Sequence, residues 1–147
     1  MATETSKTEV GNYFISNYPP FSQWTPAALG DVRAALESPP GEVPLGLYLH
    51  IPFCRKRCHF CYFRVYTDKN AAEIKGYLDA AIEELKLYAA KPFIGKRKPS
   101  FVYFGGGTPS YLSTQQLTYL TGAMKDLLPW DAAEEVTFEC EIGRAHV

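Results

Sequence analysis

Three cysteines in one short loop are the residues of this sequence best suited to chemistry. Cys54, Cys58 and Cys61 are separated by three and then by two residues, and they directly follow the apolar run 45–53. Thiolates are soft ligands that select zinc, copper(I) or iron-sulfur centres. Because so short a loop directs three side chains to one place, the spacing predicts a metal centre with three protein ligands.

The number of ligands indicates what such a centre could do. A 4Fe-4S cluster that only carries electrons is held by four thiolates. With three thiolates one iron stays open, so a small molecule can bind it directly and react there. Arg55, Lys56 and Arg57 fill the first gap of the loop, and cations beside an anionic cluster favour its formation and reduction.

Other interpretations of the four cysteines stay open. A zinc site would take His50, His59 or Cys140 as its fourth ligand, although a three-residue gap between cysteines is an unusual zinc spacing. A disulfide framework is disfavoured, because four cysteines in 147 residues are too few for a disulfide-rich protein. By itself, Cys140 is typical of a buried strand residue.

The composition predicts a globular protein that works away from nucleic acid and membranes. Hydrophobic residues make up 46% and charged residues 21% of the 147 residues, which is enough for one core. The formal net charge of -1 argues against a nucleic acid partner. No apolar run reaches the roughly 18 residues of a membrane span. The polar start lacks a signal peptide, so we expect a cytoplasmic, reducing location.

The first 44 residues predict a separate N-terminal part. It begins with a polar tail, and its residues 11–21 form an aromatic arm that two prolines interrupt. Thr25 followed by Pro26 is typical of a helix start, and the apolar spacing after them predicts a short helix that ends near Glu37.

Residues 45–141 predict an α/β unit in which strands alternate with helices. The predicted strands are 45–51, 100–104 and 135–140, and the predicted helices begin after Asn70 and Ser113, each at a capping box before an apolar stripe. Helical crossovers join parallel strands in the right-handed sense. The predicted fold is therefore the first part of a parallel (β/α) barrel, with about three strands.

Two further features lie where the second and third predicted strands end. The active sites of parallel barrels lie at the carboxyl ends of their strands. Gly105, Gly106 and Gly107 follow the second strand. Glycines let a ligand approach the backbone, but a triple glycine also suits a phosphate cradle, a tight turn or a hairpin. Glu139 lies on the third strand, where a carboxylate could accept hydrogen bonds from a ribose or an ammonium group, or have a purely structural role.

Taken together, these motifs resemble those of the radical S-adenosylmethionine (SAM) enzymes. The Cys-x3-Cys-x2-Cys loop has an aromatic residue just before its last cysteine, and the run from Gly105 to Pro109 is similar to the glycine-rich motif that holds the methionine amino group of SAM. The resemblance implies that Cys54, Cys58 and Cys61 bind a 4Fe-4S cluster. It also implies that the open iron binds SAM and that the reduced cluster cleaves SAM to a 5′-deoxyadenosyl radical.

Within this superfamily, the chain is similar to the group of oxygen-independent coproporphyrinogen III oxidases. The similar runs are 48–54, 104–112 and 137–139. Tyr62 and Phe63 stand where the oxidases have glycine and cysteine, so the chain departs from the oxidase pattern just after the cluster loop. The resemblance assigns no catalytic residue, but it implies SAM contacts from Tyr48, Phe60, Gly106, Gly107, Thr108 and Glu139.

This group is chemically mixed, so the resemblance leaves several functions open. Its members include the oxidase of porphyrin biosynthesis, haem chaperones and SAM-dependent carbon methyltransferases. The implied partners are a porphyrinogen or haem substrate and an electron donor such as flavodoxin or ferredoxin. Outside the family, the alternative is a zinc-binding α/β domain without redox function.

The last residues, 142–147, are interpreted as a non-native tail. They can be encoded by ATC GGA AGA GCA CAC GTC, which matches a widely used sequencing-library adapter, so His146 is excluded as a ligand. We therefore expect the chain to be an N-terminal fragment of a longer barrel, inactive by itself. Unpaired strand edges and exposed apolar helix faces would make such a fragment poorly soluble.

Overall fold

A computed structural model describes residues 24–95 and 97–141 of the chain. The chain divides into two compact units, Met1–Ala34 and Ala35–Val147. The aromatic arm 11–21 and the tail 142–147 lie outside the described residues. The division of the chain into residues 1–44, 45–141 and 142–147 stays a prediction.

The first described element is a short helix. A 3₁₀ turn at Pro26–Ala28 leads into helix α1, Leu29–Glu37. Proline suits this first turn, because the backbone N–H that it lacks would have no helical partner there. After the last turn, the hydroxyl of Ser38 donates to the carbonyl of Ala35 at 2.7 Å. The helix thus ends at Glu37, as the sequence predicts.

Three parallel strands form the centre of the second unit, in the order β1-β2-β3. They are β1, Gly46–Ile51, β2, Phe101–Gly106, and β3, Glu135–Phe138. Ile51 lies opposite Gly106, and Phe104 lies opposite Phe138. The carboxyl ends of all three strands therefore meet at one edge of the sheet. The prediction of an α/β fold with about three parallel strands is confirmed.

Two helices cross from one strand to the next: α2, Ala71–Ala89, and α3, Thr114–Leu127. Both begin with the predicted capping box. The Asn70 side chain accepts hydrogen bonds from the first turn of α2, and the Glu73 carboxylate accepts one from the Asn70 N–H in return. Ser113 and Gln116 exchange the same pair of bonds at the start of α3. Among the described residues, none of the helices combines the length and the hydropathy that a membrane span requires.

The core lies between these helices and one face of the sheet. Ile51, Val102 and Phe104 alternate along β1 and β2 and are almost fully buried. Burying a side chain of this size contributes roughly 1.5–3 kcal/mol. The other members of the core cluster are Phe53, Ile74, Leu78, Leu112, Leu120, Met124 and Trp130. Since side chains alternate along a strand, the opposite face of the sheet presents Tyr48, His50 and Tyr103.

The strand ends differ from their predicted positions by one or two residues. β2 continues to Gly106, because the backbone of its glycines still pairs with His50 and Ile51 of β1. β3 stops at Phe138, and Cys140 beyond it is exposed. The prediction of Cys140 as a buried strand residue is therefore wrong.

Candidate cofactor site

The candidate site lies where the three strands end. The cysteine loop leaves β1, the glycine motif ends β2, and Glu139 directly follows β3. These segments surround an open pocket of about 450 Å³. The pocket is lined by Cys54, Lys56, Arg57, Cys58, Cys61, Gly107, Thr108, Glu139, Cys140 and Glu141. Residues from all three strand ends thus face one space.

Backbone bonds close the base of the cysteine loop. The N–H of Cys54 donates to the carbonyl of Tyr66 at 3.0 Å. Inside the loop, the N–H of Cys61 donates to the carbonyl of Cys58 at 3.2 Å, and the guanidinium of Arg57 donates to the carbonyl of Cys61 at 3.1 Å. Cys54 is buried, Cys61 is half-buried and Cys58 is exposed. The loop therefore offers one thiol from its base and two from its outer part.

The cysteines and the side chains beside them have the chemistry of a cluster site. Among residues 24–95 and 97–141, no three His, Cys, Asp or Glu side chains form a group that could hold one ion. A cubane cluster takes its thiolates at separate iron corners. Cys54, Cys58 and Cys61 lie around one pocket, beside the cations of Lys56 and Arg57. Three thiols around one pocket beside two cations have the chemistry that a 4Fe-4S cluster requires.

The glycine motif forms the wall behind Cys54. The N–H of Gly107 donates to the carbonyl of Ile51 at 2.7 Å, and the N–H of Thr108 donates to the carbonyl of Phe53 at 2.9 Å. A Cβ at Gly107 would lie 2.9 Å from the sulfur of Cys54 and equally close to two backbone carbonyl oxygens. Backbone cannot give way by that much, so this position requires glycine.

Burial, a hydrogen bond and neighbouring charges all act on the pKa of the Cys54 thiol. Burial raises the pKa, since the thiolate loses its hydration. The hydroxyl of Thr108 donates to the Cys54 sulfur at 3.3 Å, and this bond lowers the pKa. The neighbouring Cys61 and Cys58 raise it again, which indicates that the three thiols lie within electrostatic range of one another. Thr108 thus stabilises the thiolate that a metal centre would bind.

A second group of contacts surrounds Gly106, whose φ of 108° is a backbone conformation that other residues rarely adopt. The His50 ring lies over it, since a Cβ at Gly106 would come within 2.8 Å of the ring. The Nδ1 of His50 is 2.9 Å from the Tyr48 hydroxyl, and the ring packs edge-on against Phe63 with 5.5 Å between centroids. Burial lowers the pKa of His50, and the charge of Glu139 opposes this effect.

Both carboxylate oxygens of Glu139 have protein donors. The hydroxyl of Tyr103 donates to Oε1 at 2.6 Å, and the N–H of Gly106 donates to Oε2 at 3.2 Å. The N–H of Glu139 itself donates to the carbonyl of Phe104 at 3.0 Å, which continues the pairing between β2 and β3. The side chain of Glu139 therefore ties the end of β3 to the glycine turn.

Four of the six residues for which the resemblance implies SAM contacts lie together. Tyr48 is 53% exposed on the sheet face beside Glu139, whose charge helps to raise the pKa of Tyr48 after the larger effect of burial. Phe60, directly before Cys61, is 81% exposed and does not line the pocket. The four others lie at the pocket or bond to a residue that lines it: Gly106, Gly107, Thr108 and Glu139.

The sequence did not reveal any role for Tyr103, and it indicated His50 only as a possible zinc ligand. Tyr103 reaches Glu139 across the sheet, and His50 covers Gly106. Both contacts depend on the register of neighbouring strands, which no local pattern specifies. The available signal was the alternation of side chains along the strands, which places Tyr103 opposite the core and on the same face as Thr137, two residues before Glu139.

Comparisons with curated proteins find several relatives of the chain. It is 32% identical over 128 residues to the oxygen-independent coproporphyrinogen III oxidase of Cereibacter sphaeroides. The aligned region covers 86% of this chain and 28% of the relative. The corresponding Escherichia coli protein is 36% identical over 100 residues, 68% of this chain and 21% of that protein. The heme chaperone HemW of Haemophilus influenzae is 32% identical over 102 residues, 68% of this chain and 27% of that protein. The chain thus spans less than a third of the length of these relatives.

A solved structure resembles the chain as well. Coproporphyrinogen III oxidase (HemN) from Escherichia coli, described as a radical SAM enzyme, matches with a TM-score of 0.68 and 29% identity, over 92% of this chain and 30% of that chain. No protein-family model matches the chain. Similarity in sequence and similarity in fold therefore indicate the same group of proteins.

Proposed function

Because this chain belongs to the oxygen-independent coproporphyrinogen III oxidase group of radical SAM proteins, we propose that it forms the cofactor-binding part of a radical SAM enzyme. The enzyme holds a 4Fe-4S cluster and SAM at the pocket where the three strands end. When bound, the cluster supplies the electron that splits SAM into a radical able to abstract hydrogen from a substrate.

The proposed cluster ligands are Cys54, Cys58 and Cys61. Cys54 is held by the closed base of the loop, and the hydroxyl of Thr108 stabilises its thiolate. The cations that line the pocket lower the electrostatic cost of bringing several thiolates together. Cys140 lines the same pocket but belongs to a different segment, so it is not a proposed ligand.

The proposed SAM contacts are Tyr48, Phe60, Gly106, Gly107, Thr108 and Glu139. A carboxylate has about four acceptor positions, of which Tyr103 and Gly106 occupy two at Glu139. The remaining positions suit the ammonium or hydroxyl donors of the cofactor. The glycine motif leaves its backbone open to a ligand, because no Cβ intervenes.

One observation carries this proposal more than any other. The cysteine loop, the glycine motif and Glu139 come from three separate strands, yet their side chains and backbone line one pocket of about 450 Å³. A structural metal site would not need the glycine motif or the carboxylate. A pocket that combines soft thiolates, an open backbone and a carboxylate suits a metal centre and a polar cofactor side by side.

The substrate that we propose is a porphyrinogen, since the oxidases similar to this chain are named for coproporphyrinogen III. A second candidate is a haem chaperone on the same scaffold, which the similarity to the Haemophilus influenzae protein favours. No observation in the described residues favours a carbon methyltransferase. The enzyme would further need an electron donor, such as flavodoxin or ferredoxin, and a reducing cytoplasm.

The test uses the protein at its natural length, purified and reconstituted without oxygen. We expect about four irons per chain and a reduced-state EPR spectrum that changes when SAM is added. Cys58→Ser should lose iron, whereas Cys140→Ser, which removes a thiol of the same pocket, should retain it. Zinc in place of iron, or a spectrum indifferent to SAM, would contradict the proposal. Tight haem binding without oxidase activity would favour the chaperone.

A further inference from the structure

Tyr103 lies on the sheet face opposite the core, and contacts with its neighbours restrict its side chain. Its ring lies over Gly105, where a Cβ would come within 2.6 Å of the Tyr103 ring and 3.1 Å of the Tyr48 ring. The Tyr48 and Tyr103 rings lie side by side, with 5.8 Å between their centroids. The glycine below and the tyrosine beside it therefore restrict where the Tyr103 hydroxyl can point.

That hydroxyl donates to Oε1 of Glu139 at 2.6 Å, while the N–H of Gly106 donates to Oε2 at 3.2 Å. Two donors on two different oxygens fix both the place and the rotation of a carboxylate, which a single donor cannot do. Tyr103 lies on β2 and Glu139 follows β3, so the bond also links the two strands at their carboxyl ends. The acceptor positions that remain on both oxygens belong to a carboxylate that lines the pocket.

We propose that Tyr103 is a positioning residue that orients Glu139, and through it Gly106, for binding of SAM. This inference rests on the proposed function, because it concerns the same cofactor. Tyr103 does not line the pocket itself, and it acts through the carboxylate that does. Loss of its hydroxyl should leave the cluster ligands intact and weaken only the cofactor site.

The test compares Tyr103→Phe with Tyr119→Phe in the protein at its natural length. Tyr119 is a matched control, since its hydroxyl donates to the carboxylate of Asp79 at 2.8 Å between α2 and α3, away from the site. We expect Tyr103→Phe to weaken SAM binding about tenfold, as loss of one hydrogen bond to a charged group does, with unchanged iron content. Tyr119→Phe should bind SAM like the wild type.

A second readout needs no cofactor. The Gly106 amide is bonded to Glu139, so hydrogen exchange at the glycine motif should become faster in Tyr103→Phe and stay the same in Tyr119→Phe. In a Glu139→Ala background, Tyr103→Phe should cause no further loss of SAM affinity, because its target is gone.

The outcomes separate two kinds of failure. Wild-type protein that carries iron but binds no SAM would overturn the proposed function. Wild-type protein that binds SAM, together with Tyr103→Phe of equal affinity, would overturn the positioning role. Unchanged exchange at Gly106 in Tyr103→Phe would overturn it as well.

Discussion

Residues from a separate segment contact the sulfur of Cys54, a proposed cluster ligand, and stabilise its thiolate. The thiol is buried, which disfavours its charged form, and the chain compensates with a hydroxyl from Thr108 at 3.3 Å. Gly107, directly before Thr108, lies against the same sulfur, where a Cβ would come within 2.9 Å of it. The glycine motif therefore has a role in supporting the cysteine loop in addition to its proposed role in binding SAM.

This arrangement predicts that the hydroxyl of Thr108 helps to retain the cluster. Thr108→Val keeps the shape of the side chain and removes the donor to Cys54, whereas Thr108→Ser keeps the donor. Since a hydrogen bond to a charged acceptor contributes about 1.5–3 kcal/mol, we expect the valine variant to lose iron to a chelator about tenfold faster or more. Chelation followed by absorbance would measure this rate in all three proteins. Equal rates for valine and wild type would show that the bond does not matter.

The cysteine spacing and the glycine motif could be identified from the sequence, because each is a local pattern. The contacts between them could not. The bonds from Tyr103 to Glu139 and from Thr108 to Cys54 join residues 36 and 54 positions apart. They depend on strand register and on how the loop folds back. Cys140 was misjudged for a related reason, since an apolar-looking alternation gave no sign that β3 ends at Phe138.

Helix α2 shows which parts of an element are determined locally. Its predicted start agrees with the structure, because both the capping box at Asn70 and the apolar stripe after it are local in sequence. The strands were less well predicted at their ends. Pairing of β2 continues through Gly105 and Gly106, although glycine is uncommon inside strands, because the partner residues on β1 are in register. Tertiary pairing outweighs local preference at such ends.

The same helix start gives a prediction for stability. Asn70→Ala removes the acceptor for the N–H groups of Ala72 and Glu73, which lie 2.9 and 3.0 Å from its Oδ1. Loss of an N-cap costs about 1 kcal/mol, so these two amides should exchange roughly fivefold faster in the intact protein. Asn70→Ser retains a capping oxygen and should exchange almost as slowly as the wild type. Equal protection in Asn70→Ala would mean that packing of α2, rather than its cap, holds the first turn.

The whole described sheet has β2 as its centre, and β1 and β3 each pair with β2 only, within residues 24–95 and 97–141. Open strand edges are templates for pairing with another chain. Apolar side chains are exposed on these strands too, with Tyr48 53% and Val136 50% exposed. The 147-residue chain, expressed by itself, is therefore expected to self-associate in a concentration-dependent way.

Two matched substitutions test whether the edge is responsible for this association. Val136→Lys places a charge on β3, where lysine discourages edge-to-edge pairing. Val43→Lys adds the same charge at a residue that is 62% exposed but lies outside the strands. Sedimentation velocity at several concentrations should show less association for Val136→Lys and little change for Val43→Lys. An equal effect of both variants would attribute the improvement to net charge. A wild-type chain that is a monodisperse monomer and melts cooperatively would show that its edges are already protected, against the expectation from the sheet.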